Sequence, residues 1–264
     1  MSPHRWILLA LCLFAPAVSY RVGGPALWAI HGGACLVAAG VALWLLHEDG
    51  MLVGALQYRS ADFTLAIVAA SAVYLPVAAV FQYWIAPVEP DNILRLCSAR
   101  GAWIPRPDVH GVGAVGEWVR DRACEAFYRS AGVRGWQRGA LVLLVAAAEE
   151  TAWRVGVQRM LAERLGKVRG WLGAAALFGL AHAGTGNATV GLLALLAGLV
   201  FGGLYIVRAA PSTARDDDDA APTFGTLHLG QGRLIPCLVA HCAFSWFFFY
   251  QRPLFAIRTD LIGV

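Results

Sequence analysis

The sequence predicts an all-α fold, a polytopic transmembrane bundle of about six to eight helices with one amphipathic helix at the interface. Three observations carry this reading. The 264 residues are 58% hydrophobic and only 14% charged, with mean hydropathy +0.59, whereas soluble domains carry about 25% charged residues. Apolar runs recur at 25–47, 62–86, 138–158, 187–207 and 234–250, each close to the roughly 20 residues that a helix needs to cross hydrocarbon. Strand-like alternation with aromatic girdles is absent, and lipid forces backbone groups to pair internally, so helices are the spanning form.

The elements follow in chain order. Trp6–Ser19 (WILLALCLFAPAVS) comes after His4 and Arg5 and contains Ala15-Pro16-Ala17, which resembles a signal-peptide cleavage site. A retained helix is expected instead, because polytopic proteins rarely need a cleaved signal. With the runs at 25–47 and 62–86 it makes up an N-terminal membrane region, 1–87, that carries no motif. Residues 88–137 form an arginine-rich connector, with eight arginines counting the flanking Arg138. Within it, Val112–Ala131 keeps apolar residues at helical spacing among charges, the pattern of a helix lying in the interface.

The core is expected over 138–250. Gly170–Ala183 is short for a span, but its alanine-rich character suits a buried helix of a bundle. A polar insert, 208–233, holds Asp216–Asp219 between Pro211 and Pro222 and reads as a solvated loop rather than a calcium site. Residues 251–264 form a tail. The arginines do not choose an orientation. Alternation from a cytoplasmic N-terminus puts 88–137 outside, and treating the first run as non-spanning reverses every assignment.

Composition also excludes classes. A net charge of +4 without a dense basic patch argues against nucleic acid as a partner. The six cysteines show no CxxC or CxxH spacing, so neither a disulfide framework nor a thiolate metal site is expected; they read as small buried hydrophobes.

The anomaly lies in 140–161 (ALVLLVAAAEETAWRVGVQRML), where Glu149, Glu150 and Arg154 interrupt a membrane helix. Each charge near a bilayer centre costs roughly 2.5–3.5 kcal/mol even on the lenient scale, so such a cluster is a functional-site hypothesis by default. Residues four apart share a helix face, so Glu150 pairs with Arg154 while Glu149 points elsewhere, with Trp153 along its face. An uncompensated carboxylate of this kind suits a general base or acid.

His182 follows the apolar run Trp171–Ala181, with Phe178 one turn earlier, and His241 lies within Leu234–Phe249, with Ser245 one turn later. A lone helix histidine is usually a satisfied core residue. Two of them on separate helices, in a chain that already holds an orphan glutamate, point to a site. His31 sits in the second apolar run without acidic or arginine company and reads as structural. His4, His47, His110 and His228 fall at termini or in loops and take no role.

Glu149-Glu150-x-x-x-Arg154, Phe178-x-x-x-His182 and His241-x-x-x-Ser245, in that order on successive apolar segments, resemble the CPBP family. Its members are intramembrane endopeptidases related to the CAAX prenyl proteases and the Abi bacteriocin-immunity proteins. Gly198–Arg208 followed by Gly232–His241 also resembles the family's run into its last motif. The likeness covers roughly 138–250. It implies glutamate-type hydrolysis in which Glu149 activates water, His182 assists in positioning it, and His241 with Ser245 stabilises the oxyanion. Glu150 and Arg154 would hold the helix geometry, and Trp153 and Phe178 are candidates for the substrate pocket. The family's commonest last motif has asparagine where this chain has Ser245, and a hydroxyl is a shorter, less directional donor than an amide.

The expected function is hydrolysis of a peptide bond near the C-terminus of a membrane-anchored or lipidated protein, including a C-terminal sorting signal. The enzyme is expected to be a multi-pass protein of the bacterial plasma (inner) membrane, with the lipid bilayer and a membrane-anchored protein or peptide as partners. No cofactor is expected. Two histidines and a carboxylate are also a zinc-peptidase ligand set, but there is no HExxH, and a metal would still need a separate base. A non-proteolytic immunity or scaffold protein of the same fold is the alternative that Ser245 favours. A proton- or ion-coupled transporter would be expected to show inverted repeats or matched broken helices, and neither is found.

Overall fold

Gly23, Gly50, Gly166 and Gly186, each with positive φ, sit between or just beyond the helices and mark where the chain turns. The structure is a computed structural model describing residues 2–57, 60–80, 122, 135–207 and 233–248. Among the described residues every regular element is helical. The elements are α1 (Pro3–Val22), α2 (Gly24–Glu48), the short α3 (Leu52–Ala55) and α4 (Ser60–Val80). They continue with α5 (Gly135–Thr151), α6 (Arg159–Leu165), α7 (Lys167–Ala183), α8 (Ala188–Val207) and α9 (Leu234–Trp246). The interfacial helix expected at 112–131, the insert at 208–233 and the tail at 251–264 lie outside the described residues, Arg122 and Arg233 excepted.

Local chemistry explains the boundaries. Proline in the first turn starts both α1 and α2, where its missing N–H costs no bond. Gly166 adopts φ 82° and ψ 164°, a conformation that glycine alone enters freely, and it folds α7 back against α6. Asn187 caps α8 by accepting a 3.2 Å bond from the Val190 N–H, and its Nδ2 donates to the Tyr20 hydroxyl at 3.0 Å.

The run expected at 138–158 departs from a plain helix. It continues to Leu165, passing through π-helical turns over Ala152–Gln158 whose seven residues are all buried. Such wide turns are rare and often accompany functional sites.

Small residues let the helices approach closely, as membrane bundles require. A Cβ on Gly170 would stand 2.5 Å from the Ala162 backbone, so α6 and α7 pack at glycine distance. A Cβ on Gly202 of α8 would meet Trp171 Cδ1 of α7 at 2.7 Å. Helix α1 belongs to this packing, since Leu8 is fully buried beside Gly156. The polar ends of the bundle are tied by ion pairs, Arg233 with Asp62 at 2.6 Å and Arg5 with Glu163 at 2.7 Å.

The outer surface is apolar: Phe14, Leu75 and Leu180 are each more than 60% exposed. Pro3–Val22, Gly24–Glu48, Asp62–Ala79 and Ala188–Ile206 are long and apolar enough to span a membrane. This is a helical membrane bundle.

Candidate active site

Four helices deliver ionisable side chains to one buried point. Glu149 and Glu150 lie in the last turn of α5, His182 in the last turn of α7, and His241 midway along α9. The fourth contributor is His31 of α2.

Glu150 is fully buried and does two jobs. Arg154 Nε donates to its Oε1 at 2.5 Å, and Nη2 lies 3.5 Å from its Oε2. The same Oε2 accepts from His241 Nδ1 at 2.9 Å. The guanidinium is completed by Gln158 Oε1 at 3.2 Å, and Gln158 Nε2 donates to the Gly202 carbonyl at 3.0 Å. Gly202 has to be a glycine here, because its Cβ would fall 2.8 Å from Gln158 Oε1 and 3.0 Å from Arg154 Nη1. The i,i+4 pair read from the sequence is present, and it is also the seat of His241, a contact that spacing alone does not reveal.

Glu149 has no arginine or lysine partner among the described residues. Its Oε1 lies 3.3 Å from His182 Nε2 and 3.3 Å from His31 Nε2, and its Oε2 lies 3.8 Å from His241 Nε2. None of these contacts is a tight, aligned hydrogen bond, and Oε1 is buried without one. His182 Nδ1 stands 2.9 Å from the Phe178 carbonyl. A carbonyl only accepts, so Nδ1 carries the proton, and neutral His182 presents a lone pair at Nε2.

These groups face a cavity of about 180 Å³ whose wall includes Glu149, His31, His182, His241, Ser245 and Phe178. The cavity extends past the end of α7 to Thr185. Most of its lining is apolar, the common character of pockets that hold organic ligands. Ser245, one turn beyond His241, is 5% exposed on this wall.

Two expectations change. Trp153 does not line the main cavity with Phe178. It lies behind Phe178, ring centroids 5.0 Å apart, on a small separate void shared with Cys12, Cys35 and Glu149. It keeps to the side of Glu149, as its four-residue spacing expects, but on the smaller void. His31 has acidic company after all, since its ring is in contact with Glu149. The one signal in the sequence was a histidine inside a spanning apolar run, and no motif pointed to its partner.

His31, Cys35 and Glu149 have ligand atoms within 4.8 Å of one another, a grouping that could hold a metal ion. It differs from the set of two histidines and a carboxylate weighed for zinc from the sequence. An ion there would take up the Glu149 carboxylate, the group best placed to accept a proton.

Residues 134–211 match the family described as Type II CAAX prenyl endopeptidase Rce1-like, in agreement with the resemblance drawn from the motifs. The match spans Glu149–Arg154 and Phe178–His182 and ends before His241. No curated protein and no solved structure matches the chain.

Proposed function

We propose that this membrane bundle is an intramembrane endopeptidase that uses Glu149 to activate water. It would hydrolyse a peptide bond near the C-terminus of a membrane-anchored or lipidated protein, a C-terminal sorting signal being one such substrate. The observation that carries the reading is Glu149 itself, a buried carboxylate with no guanidinium or ammonium partner among the described residues, set on a cavity wall beside His182. An inert helix has no use for such a group.

The roles follow from the contacts. A water held between Glu149 Oε1 and His182 Nε2 can give its proton to the carboxylate while His182 holds it in line. The hydroxide attacks the scissile carbonyl. The oxygen that becomes negative is met by His241 Nε2 and the Ser245 hydroxyl. His241 Nδ1–H is committed to Glu150, so a donor at Nε2 requires the imidazolium; its charge is offset by Glu149, whose Oε2 lies 3.8 Å from Nε2, while Glu150 balances Arg154. Collapse breaks the C–N bond, and the leaving amine takes the proton from Glu149. The reading calls for no metal, since Glu149 itself supplies the base.

His182 is in the last turn of α7 and the cavity reaches the turn beyond it, which favours a bond near the membrane surface. The location proposed is the bacterial inner membrane. Ser245 is the observation that favours the second reading, a non-proteolytic immunity or scaffold protein.

Comparison of membrane-protein C-termini from cells with wild-type protein and cells with Glu149→Gln distinguishes the two. Shortened C-termini confined to the wild type are expected. Identical termini in both would leave the scaffold reading standing.

A further inference from the structure

We infer that His31 is the positioning residue of the general base, a third imidazole that holds Glu149 Oε1 so that His182 is free to hold the water. The inference rests on the hydrolytic reading and assigns a residue outside the matched segment, on α2.

The argument is one of donors. Two imidazole nitrogens stand 3.3 Å from Glu149 Oε1, but they differ in kind. His182 has its proton on Nδ1, spent on the Phe178 carbonyl, so in the neutral ring its Nε2 repels the carboxylate unless water lies between. His31 Nδ1 is buried and without a hydrogen-bond partner among the described residues. A bare lone pair in that place is cheaper than an orphaned N–H, because an unsatisfied buried donor is the rarer defect. The proton of neutral His31 therefore belongs on Nε2, facing Glu149. The contact is long and imperfectly aligned, as catalytic hydrogen bonds often are before substrate closes the site.

The bland reading is a core histidine satisfied by packing. Against it, the other polar neighbour of Nε2 among the described residues is Cys35 Sγ at 3.8 Å, a weak partner. The approach is also built into the helix interface. Beside His31, a Cβ on Gly32 would meet Val145 Cγ2 at 3.1 Å, one turn before Glu149. Further along the same pair of helices, Cys35 and Ala39 pack on Ala148. Helices α2 and α5 thus close on small side chains where the imidazole must reach the carboxylate.

The test uses full-length protein in liposomes and a tagged membrane-anchored substrate, with melting temperature measured alongside turnover. Glutamine places its amide nitrogen where Nε2 stands, and asparagine places it nearer Nδ1. Loosening the geometry of the general base is expected to lower kcat about 10- to 100-fold. His31→Asn and His31→Phe should show that loss at unchanged KM and unchanged melting temperature, and His31→Gln should retain most of the rate. Wild-type kcat in His31→Phe or His31→Asn would overturn the inference, and so would losses in all three variants that track melting temperature. Glu149→Gln separates the two layers. If it is inactive while His31→Phe and His31→Asn are normal, the positioning role alone fails. If it turns over like the wild type, the hydrolytic reading fails first.

Discussion

Glu150→Gln should strongly destabilise the bundle, although it changes only one carboxylate into an amide of the same shape. In the native site Glu150 is fully buried and balances the Arg154 guanidinium at 2.5 Å. The amide leaves Arg154, itself fully buried, with Gln158 Oε1 at 3.2 Å as its remaining uncompromised acceptor among the described residues. The new NH₂ must also face either Arg154 or His241 Nδ1–H, donor against donor. Removing one partner of a buried ion pair costs about 3–5 kcal/mol. Against a total stability of about 5–15 kcal/mol, that is a large share.

The double variant Glu150→Gln, Arg154→Met removes the stranded cation and keeps an amide oxygen for His241. Replacing both members of a buried pair is often close to neutral, so most of the loss should return. Thermal unfolding in detergent, followed by tryptophan fluorescence and by the monodisperse fraction on gel filtration, reads both variants. Wild-type melting in Glu150→Gln, or a double variant less stable than the single, would refute the reasoning.

Three further outcomes follow from the same geometry. Gly170→Val must displace the Ala162 backbone, which lies 2.5 Å from where a Cβ would stand; strain of about 1–3 kcal/mol or more should appear as a lowered melting temperature. Ser245→Ala should lower kcat about 10- to 100-fold by removing one oxyanion donor, whereas Ser245→Asn should retain or exceed the wild-type rate. Equal rates in all three Ser245 forms would take that residue out of the oxyanion site. Dialysis against a chelator should leave turnover unchanged, and a loss restored by zinc would make Glu149 a ligand instead of the base.

The sequence carried what is local in the chain. The Glu150–Arg154 pair was legible because both partners lie on one continuous run, four residues apart, and that contact survives the change from α to π turns between them. Trp153 keeps to the side of Glu149, as its four-residue spacing expects, but spacing does not say which void that face lines. His31 was missed because its partner lies on another helix, and apolar periodicity says that a helix is buried without saying which helix covers it. The bond from His241 to Glu150 escaped for the same reason. The histidine at 182 stood out because its run carries a motif, while the run around His31 carries none.

The central claim is that Glu149 takes the proton of the attacking water. It is met most directly by purified protein in liposomes, a membrane-anchored substrate and ¹⁸O-labelled water, with the new C-terminus read by mass spectrometry. The wild type should release a shortened product carrying one ¹⁸O in its terminal carboxylate. Glu149→Gln, folded to the same melting temperature, should be slower by about 10²–10⁴-fold, the usual worth of a positioned base. Product formed by Glu149→Gln at the wild-type rate, or no labelled product from the wild type, would contradict the account.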